Sequence, residues 1–282
     1  MNTQSAAEFY RHHGEWSDPG RFAGAFDAIP RDIRAIASTV QGLLLHDYFG
    51  AHLYPDPPTG IADASRATLP ISERLPAVTR FGETPLTTAR PVHERAVRTC
   101  RDFALMTCSI LRHHQIAARV RCGFSHYFHP PTFEDHWICE YRDDTAQAWK
   151  TVDAQLDHEH QHHLSIYFDH TDMPRDQFLF SWQVWERFGN DHGALQDFGQ
   201  GESKGFWFVR VSLARDVLAL TKREVSEWDT WRDHRDEDKV ASAIAQCNAL
   251  AAASKHFDTA AQFDVTAFND VIAELDRPHW AG

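Results

Sequence analysis

Three short segments hold residue types that could act together on an acyl group. They are Cys100 in Arg98-Thr99-Cys100-Arg101-Asp102, His136 in Glu134-Asp135-His136-Trp137, and Asp153 closing Trp149-Lys150-Thr151-Val152-Asp153. A thiol attacks an amide or ester carbonyl only as thiolate, and a free cysteine, with a pKa of about 8.5, holds little thiolate at neutral pH. An imidazolium partner lowers that pKa and protonates the leaving group. A carboxylate behind the imidazole fixes its tautomer and stabilises its charged form.

The elements around these residues could position them. Ala96 to His114 carries Phe103, Ala104, Leu105, Met106, Cys108, Ile110 and Leu111, apolar on more than one face, which predicts a central, covered helix. Cys100 then lies near the helix N-terminus, where the helix dipole favours negative charge. Ala117 to Phe124 alternates and reads as a strand, followed by strands over 135–141 and 148–153 with a turn at Asp143-Asp144-Thr145. A hairpin centred between Asp144 and Thr145 would set position 136 directly opposite 153. Cβ atoms of such a pair lie about 4.5–5.5 Å apart, within reach of a carboxylate–imidazole hydrogen bond. Trp149 with Glu140, and Thr151 with Ile138, would share that face.

These segments resemble the transglutaminase-like superfamily: a Cys opening a buried helix, a strand with His followed by an aromatic, and a strand ending in Asp. The run from Leu111 to Phe124 is similar to that family's link between helix and first core strand. In bacterial transglutaminase domain proteins the resemblance extends to Gln41-Gly42-Leu43-Leu44-Leu45-His46 and Gly205-Phe206-Trp207-Phe208-Val209-Arg210. It rests mainly on residues 91–156. It implies an α+β, papain-like transglutaminase core and Cys–His–Asp catalysis through a thioester acyl-enzyme. It does not imply protein crosslinking, since the superfamily also holds proteases, amidases and peptide N-glycanases. A papain-type protease fits less well: its Cys and His are separated by roughly a hundred residues or more, against 36 here.

An oxyanion hole would take the Cys100 N–H as its first donor. Gln41, His46 and Tyr48 are candidates for the second, and Trp137 is a candidate substrate contact. Asp102 reads as a first-turn or capping carboxylate, and Arg119 and Arg121 as partners of local carboxylates. Cys108, Cys122, Cys139 and Cys247 read as packing residues. The His-rich stretch from Asp157 to His163, with His170 nearby, could chelate a metal from an extended chain, but no spacing supports a closed site. The expectation is no metal and no cofactor, with a role for this stretch at the rim of a cleft left open.

The whole chain of 282 residues reads as a single domain, with its catalytic core at about 91–156, a helical N-terminal region over 1–90 and an extension over 157–282. Pro30-Arg31-Asp32 opens a helix whose buried face is Ile33, Ile36, Ala37, Val40, Leu43 and Leu44. Residues 55–91, with seven prolines, read as a long connection with little regular structure. Further expectations are a strand at Phe206–Val211, a helix at Ala241–Ala253 and an amphipathic stretch at Val265–Leu275. A net charge of −12 argues against nucleic-acid partners. No run approaches the roughly 18 apolar residues of a membrane span. The polar first twenty residues and five unpaired-looking cysteines suggest a cytoplasmic protein with reduced thiols. The expected partner is a peptide, protein or small-molecule amide or thioester. Hydrolysis is favoured because water is always present, with amide formation on an amine, or a non-catalytic module that kept the fold, as alternatives.

Overall fold

The structure, a computed structural model, describes residues 4–80, 82, 84–225 and 240–263. In chain order the strands are β1 (Gln4–Ser5), β2 (Leu44–His46), β3 (Ala96–Arg98), β4 (Ala118–Ser125), β5 (Glu134–Asp143), β6 (Ala148–Val152), β7 (Phe178–Phe180), β8 (Gly199–Gln200), β9 (Ser203–Lys204) and β10 (Gln262–Phe263). The helices are α1 (Ala6–Arg11), α2 (Ile33–Leu43), α3 (Asp47–Leu53), α4 (Ile71–Thr79), α5 (Cys100–His113), α6 (His158–His163), α7 (Ser181–Phe188), α8 (Phe206–Leu220) and α9 (Val240–Thr259). This is a mixed α/β chain with a four-stranded antiparallel sheet in the order β6-β5-β4-β7. The described residues form two compact units. Among those residues the first draws on 4–9, 121–136, 175–225 and 240–263, and the second on 10–120, less 81 and 83, and 137–174.

In the second unit every residue of α5 from Cys100 to Arg112 is buried, which explains its lack of a polar face. Its polar side chains bond to backbone instead of water: Arg101 Nη1 to Leu69 O (2.9 Å), Ser109 Oγ to Ser17 O (2.7 Å) and Arg112 Nε to Ala118 O (2.9 Å). Helix α2 packs on α5 with Ile36, Ala37, Val40 and Leu43 buried, and Asp32 caps it by accepting from Ala35 N at 2.9 Å.

Two expectations are corrected here. The helix begins at Cys100, not Ala96, because Ala96–Arg98 pairs in parallel with β2 (Leu44↔Ala96, Leu45↔Val97, His46↔Arg98). Within 55–91, Ile71–Thr79 forms α4, with Ile71, Leu75 and Val78 buried and Pro76 inside the helix. The prolines masked a short amphipathic pattern.

The hairpin register also differs. Observed pairs are Cys139↔Val152, Glu140↔Thr151, Tyr141↔Lys150, Arg142↔Trp149 and Asp143↔Ala148, two residues away from the symmetric expectation. The loop takes four residues, with Asp143 Oδ1 accepting from Thr145 N (2.9 Å) and Ala146 N (3.0 Å) and Gln147 at φ 52°. A shift of two preserves strand faces but removes direct opposition of 136 and 153. Arg119 lies buried in this unit, its Nε 2.7 Å from Glu140 Oε2 and its guanidinium 4.3 Å over the Trp149 ring.

In the first unit β4 pairs with β7 (Gly123↔Phe180, Phe124↔Leu179, Ser125↔Phe178), and a Cβ on Gly123 would meet Leu179 O at 2.4 Å. Phe206–Val211 is helical, not a strand: the β-branched and aromatic run is the start of α8, whose residues from Val211 to Leu220 are all buried. Helix α9 covers the Ala241–Ala253 expectation. Arg121 is wholly buried, bonded to Asp216 (2.9 and 3.0 Å) and Asp258 (2.9 Å) and stacked 3.7 Å over Phe180. Val265–Leu275 lies outside the described residues.

A buried ion pair is hard to break one-sidedly, since the remaining charge keeps its desolvation penalty. Replacing Glu140 with Ala should cost about 3–5 kcal/mol in urea unfolding. A Glu140→Leu, Arg119→Leu double variant should recover most of that loss. A Glu140→Ala cost below about 1 kcal/mol would contradict burial of the pair.

Candidate functional site

Cys100 is the first helical residue of α5. Thr99 is extended (φ −98°, ψ 169°) and its carbonyl accepts from Asp102 N at 3.0 Å, so the backbone turns into the helix at the thiol. Only 4% of Cys100 is exposed. The helix dipole at this end favours thiolate. Asp102, within the first turn, would oppose it, but its carboxylate is itself paired with two buried guanidiniums, Arg74 Nε (3.2 Å) and Arg101 Nη1 (3.1 Å). The local anion is thus matched by cations. All five cysteines are buried and none is in a disulfide. Burial also pushes the Cys139 thiol, packed beside Cys108, well above the usual range, and the Cys247 thiol to about 12.

His136 lies on β5 at 2% exposure, its ring edge-on to Phe128 (4.8 Å), Tyr127 (6.0 Å) and Phe178 (6.4 Å). Its neighbour Asp135 faces the other way along the strand. Burial raises the Asp135 carboxyl to about 6, against the pull of Arg215, whose Nη1 is 3.6 Å away.

Asp153 is the first residue past β6 and is 1% exposed. Its N–H donates to His170 O (2.9 Å), and its Oδ1 accepts from Gln155 N (2.9 Å). The Asp153 backbone therefore leaves the ladder, which is why the symmetric hairpin arithmetic does not describe it. His170, mentioned only in passing from sequence, is central to this turn. Gln41 Nε2 sits 3.2 Å from its Nε2, and Gln161 Nε2 sits 2.9 Å from its Nδ1. Burial pushes His170 below the usual imidazole range, against the pull of Asp153 and Asp169. The ring, bracketed by two amides, is part of what holds the turn; no spacing rule in the sequence pointed to it.

The other sequence candidates are placed as follows. Gln41 also donates to Leu156 O (3.3 Å), as does Gln161 (3.1 Å), so Gln41 fastens α2 to the turn after Asp153. His46 caps α3: its Nδ1 accepts from Tyr48 N (3.2 Å) and Phe49 N (3.5 Å). Tyr48 is 45% exposed and lies against His52, ring centroids 4.4 Å apart. Trp137 is buried, and its Nε1 has no hydrogen-bond partner. Strand alternation turns it away from the face carrying His136, Ile138 and Glu140.

The His-rich stretch is helix α6, not an extended chain. Asp157 caps it, accepting from His160 N (3.2 Å) and His160 Nδ1 (2.8 Å), and also from Tyr54 OH. Although burial works against it, these hydrogen bonds hold Asp157 below the usual carboxylate range. Among the described residues no group of three or more His, Cys, Asp or Glu is arranged to hold a metal ion. No helix of the described residues is long and apolar enough to cross a membrane.

Sequence reasoning also missed Gln155. It is 1% exposed, and neither its Nε2 nor its Oε1 has a hydrogen-bond partner. An unsatisfied buried polar group costs roughly 1–3 kcal/mol, so such a residue is rarely left without reason.

The chain matches no family model and no curated protein. Among solved structures it is similar to a protein of Cytophaga hutchinsonii provisionally named a cysteine protease, with 17% identity, over 54% of this chain and 43% of that one, at a TM-score of 0.32. The chain thus spans less than half of that structure. At this degree of superposition the likeness defines neither a fold nor an activity.

The Asp135 carboxyl makes a pH-dependent prediction. Unfolded Asp titrates at about 3.9, and the native group at about 6. Between those values the native state holds a proton the unfolded state has released, so this group's contribution to stability falls as pH rises through that window. Asp135→Asn removes the dependence. Its stability relative to wild type should improve by on the order of 2–3 kcal/mol between pH 4 and pH 7 in chemical unfolding. A pH-independent difference would contradict the raised carboxyl.

Proposed function

We propose that the protein is a cysteine-dependent acyl-transfer enzyme of the transglutaminase-like, papain-related kind. Cys100 is the nucleophile, His136 the proton carrier and Asp153 the carboxylate that orients it. The observation that carries this reading is the position of Cys100 as the opening residue of a buried helix, with the carboxylate of its first turn, Asp102, clamped by two arginines.

In this reading the Cys100 thiolate attacks an amide carbonyl carbon. The C–N bond breaks as the His136 imidazolium protonates the departing amine, leaving a thioester on Sγ. Water, deprotonated by the now neutral imidazole, attacks the thioester and releases the carboxylic acid and the thiolate. The preferred outcome is hydrolysis of an amide or peptide bond. The 4% exposure of Cys100 favours a second reading, transfer to an amine, because a transferase must exclude water. In both readings the acyl donor enters as a slender group, since a broad one could not reach so covered a thiol. No metal or cofactor has a part in either.

The test is to offer a panel of amides and thioesters with and without hydroxylamine and to follow protein and products by mass spectrometry. An adduct on Cys100, released faster by hydroxylamine as a hydroxamate, is expected. Cys100→Ser should abolish it, and His136→Ala should slow its formation by roughly a hundredfold or more. Asp153→Asn should slow it by roughly a hundred- to ten-thousandfold. Adducts on other thiols, or a His136→Ala variant as fast as wild type, would overturn the assignment.

A further inference from the structure

The first turn of α5 gathers more positive charge than it matches, in a chain whose net charge is −12. Arg74, Arg98 and Arg101 all act there on one carboxylate, Asp102. Arg74 and Arg101 are buried, and their bonds to Asp102 (3.2 and 3.1 Å) account for it. Arg98 is left over. Among the described residues it has no carboxylate partner: its Nη1 donates to Val97 O (2.5 Å), and its Nε, although buried, donates to nothing. Its register partner on β2 is His46, and the carboxylate that follows, Asp47, is held by Arg66 Nε (2.5 Å). Burial lowers the Arg98 guanidinium below its usual range and Arg74 adds to this; Asp102 opposes it, and Arg80 adds again.

Arg98 closes β3 two residues before Cys100, and Thr99 between them is extended (φ −98°, ψ 169°). Side chains two apart on an extended chain leave the same side of the backbone. The guanidinium and the thiol therefore start from one side, their Cα atoms at most about 7 Å apart. Unlike the thiol, Arg98 is only partly buried, so a ligand can reach it. We infer that Arg98 is a specificity residue of the Cys100 site, binding a carboxylate that the acyl donor carries close to its reacting carbonyl. This rests on the reading of Cys100 as nucleophile and adds the charge class of the substrate. A part-desolvated cation without a partner is costly, and an entering anion offsets that cost with a charge-assisted hydrogen bond. A carboxylate is flat and suits the narrow approach to a thiol only 4% exposed, whereas a tetrahedral phosphate is broader.

The experiment compares alkylation of Cys100 in the full-length protein by iodoacetate and by iodoacetamide, reagents alike in shape and unlike in charge. Rates are read by peptide mass spectrometry and divided by those of N-acetylcysteinamide, a neutral thiol. The corrected iodoacetate-to-iodoacetamide ratio should fall about tenfold in Arg98→Gln, and Arg98→Lys, which keeps the charge, should retain most of it. A change in the thiol's own titration slows both reagents alike and cancels in the ratio. The His136 imidazolium also attracts the anion, so His136→Ala should slow both reagents yet leave a ratio of at least about threefold. That variant decides the matter if Arg98→Gln does not fold. A ratio unchanged in Arg98→Gln, or reduced to one in His136→Ala, would overturn the role of Arg98 while leaving the nucleophile intact. A Cys100 no more reactive than the other four thiols would overturn both.

Discussion

The site depends on the point at which helix α5 begins. Had the helix run from Ala96, Cys100 would lie more than a turn inside it, away from the end where the dipole is felt. The parallel pairing of Ala96–Arg98 with Leu44–His46 holds the chain extended until Thr99, and the first helical residue is then the thiol. Asp102 fixes that start from within. Its carboxylate draws in Arg74 from α4 and Arg101 from its own helix, so the first turn is held by charge pairs in a fully buried setting.

The same device recurs in both units. Arg119 with Glu140, and Arg121 with Asp216 and Asp258, are adjacent-but-one residues of β4 whose guanidiniums are buried against carboxylates and aromatic rings. Buried pairs of this kind add little net stability over apolar packing, but breaking one side is costly, so they fix register and orientation. For the strands that carry His136 and lead to Asp153, fixed register matters more than raw stability.

Much of this was legible in the sequence. The covered helix, a strand read at 117–124 and found at 118–125, the hairpin and carboxylate partners for Arg119 and Arg121 followed from periodicity, turn residues and charge, although Arg121 finds its partners far along the chain in Asp216 and Asp258. The boundaries did not: Ala96–Arg98 is extended because it pairs with a distant strand, and nothing in the local run marks where β3 ends and α5 starts. The hairpin register failed because loop length was inferred from symmetry, whereas Gln147 takes a left-handed conformation and lengthens the loop. Phe206–Val211 failed because the strand preference of β-branched and aromatic residues depends on context, and the run continues unbroken into the buried residues Val211–Leu220 of α8. His170 and Gln155 carry no pattern at all. The turn that holds them is built only by tertiary contacts.

The most direct test of Cys100 as an activated nucleophile is the pH dependence of its alkylation rate by iodoacetamide, measured residue by residue on the native protein. A thiolate stabilised by the α5 N-terminus and an imidazolium predicts a rate that has reached its plateau below about pH 7 and falls at lower pH with the thiol's own titration. A rate still rising through about pH 8.5 and above, as for an ordinary or buried inert thiol, would contradict it.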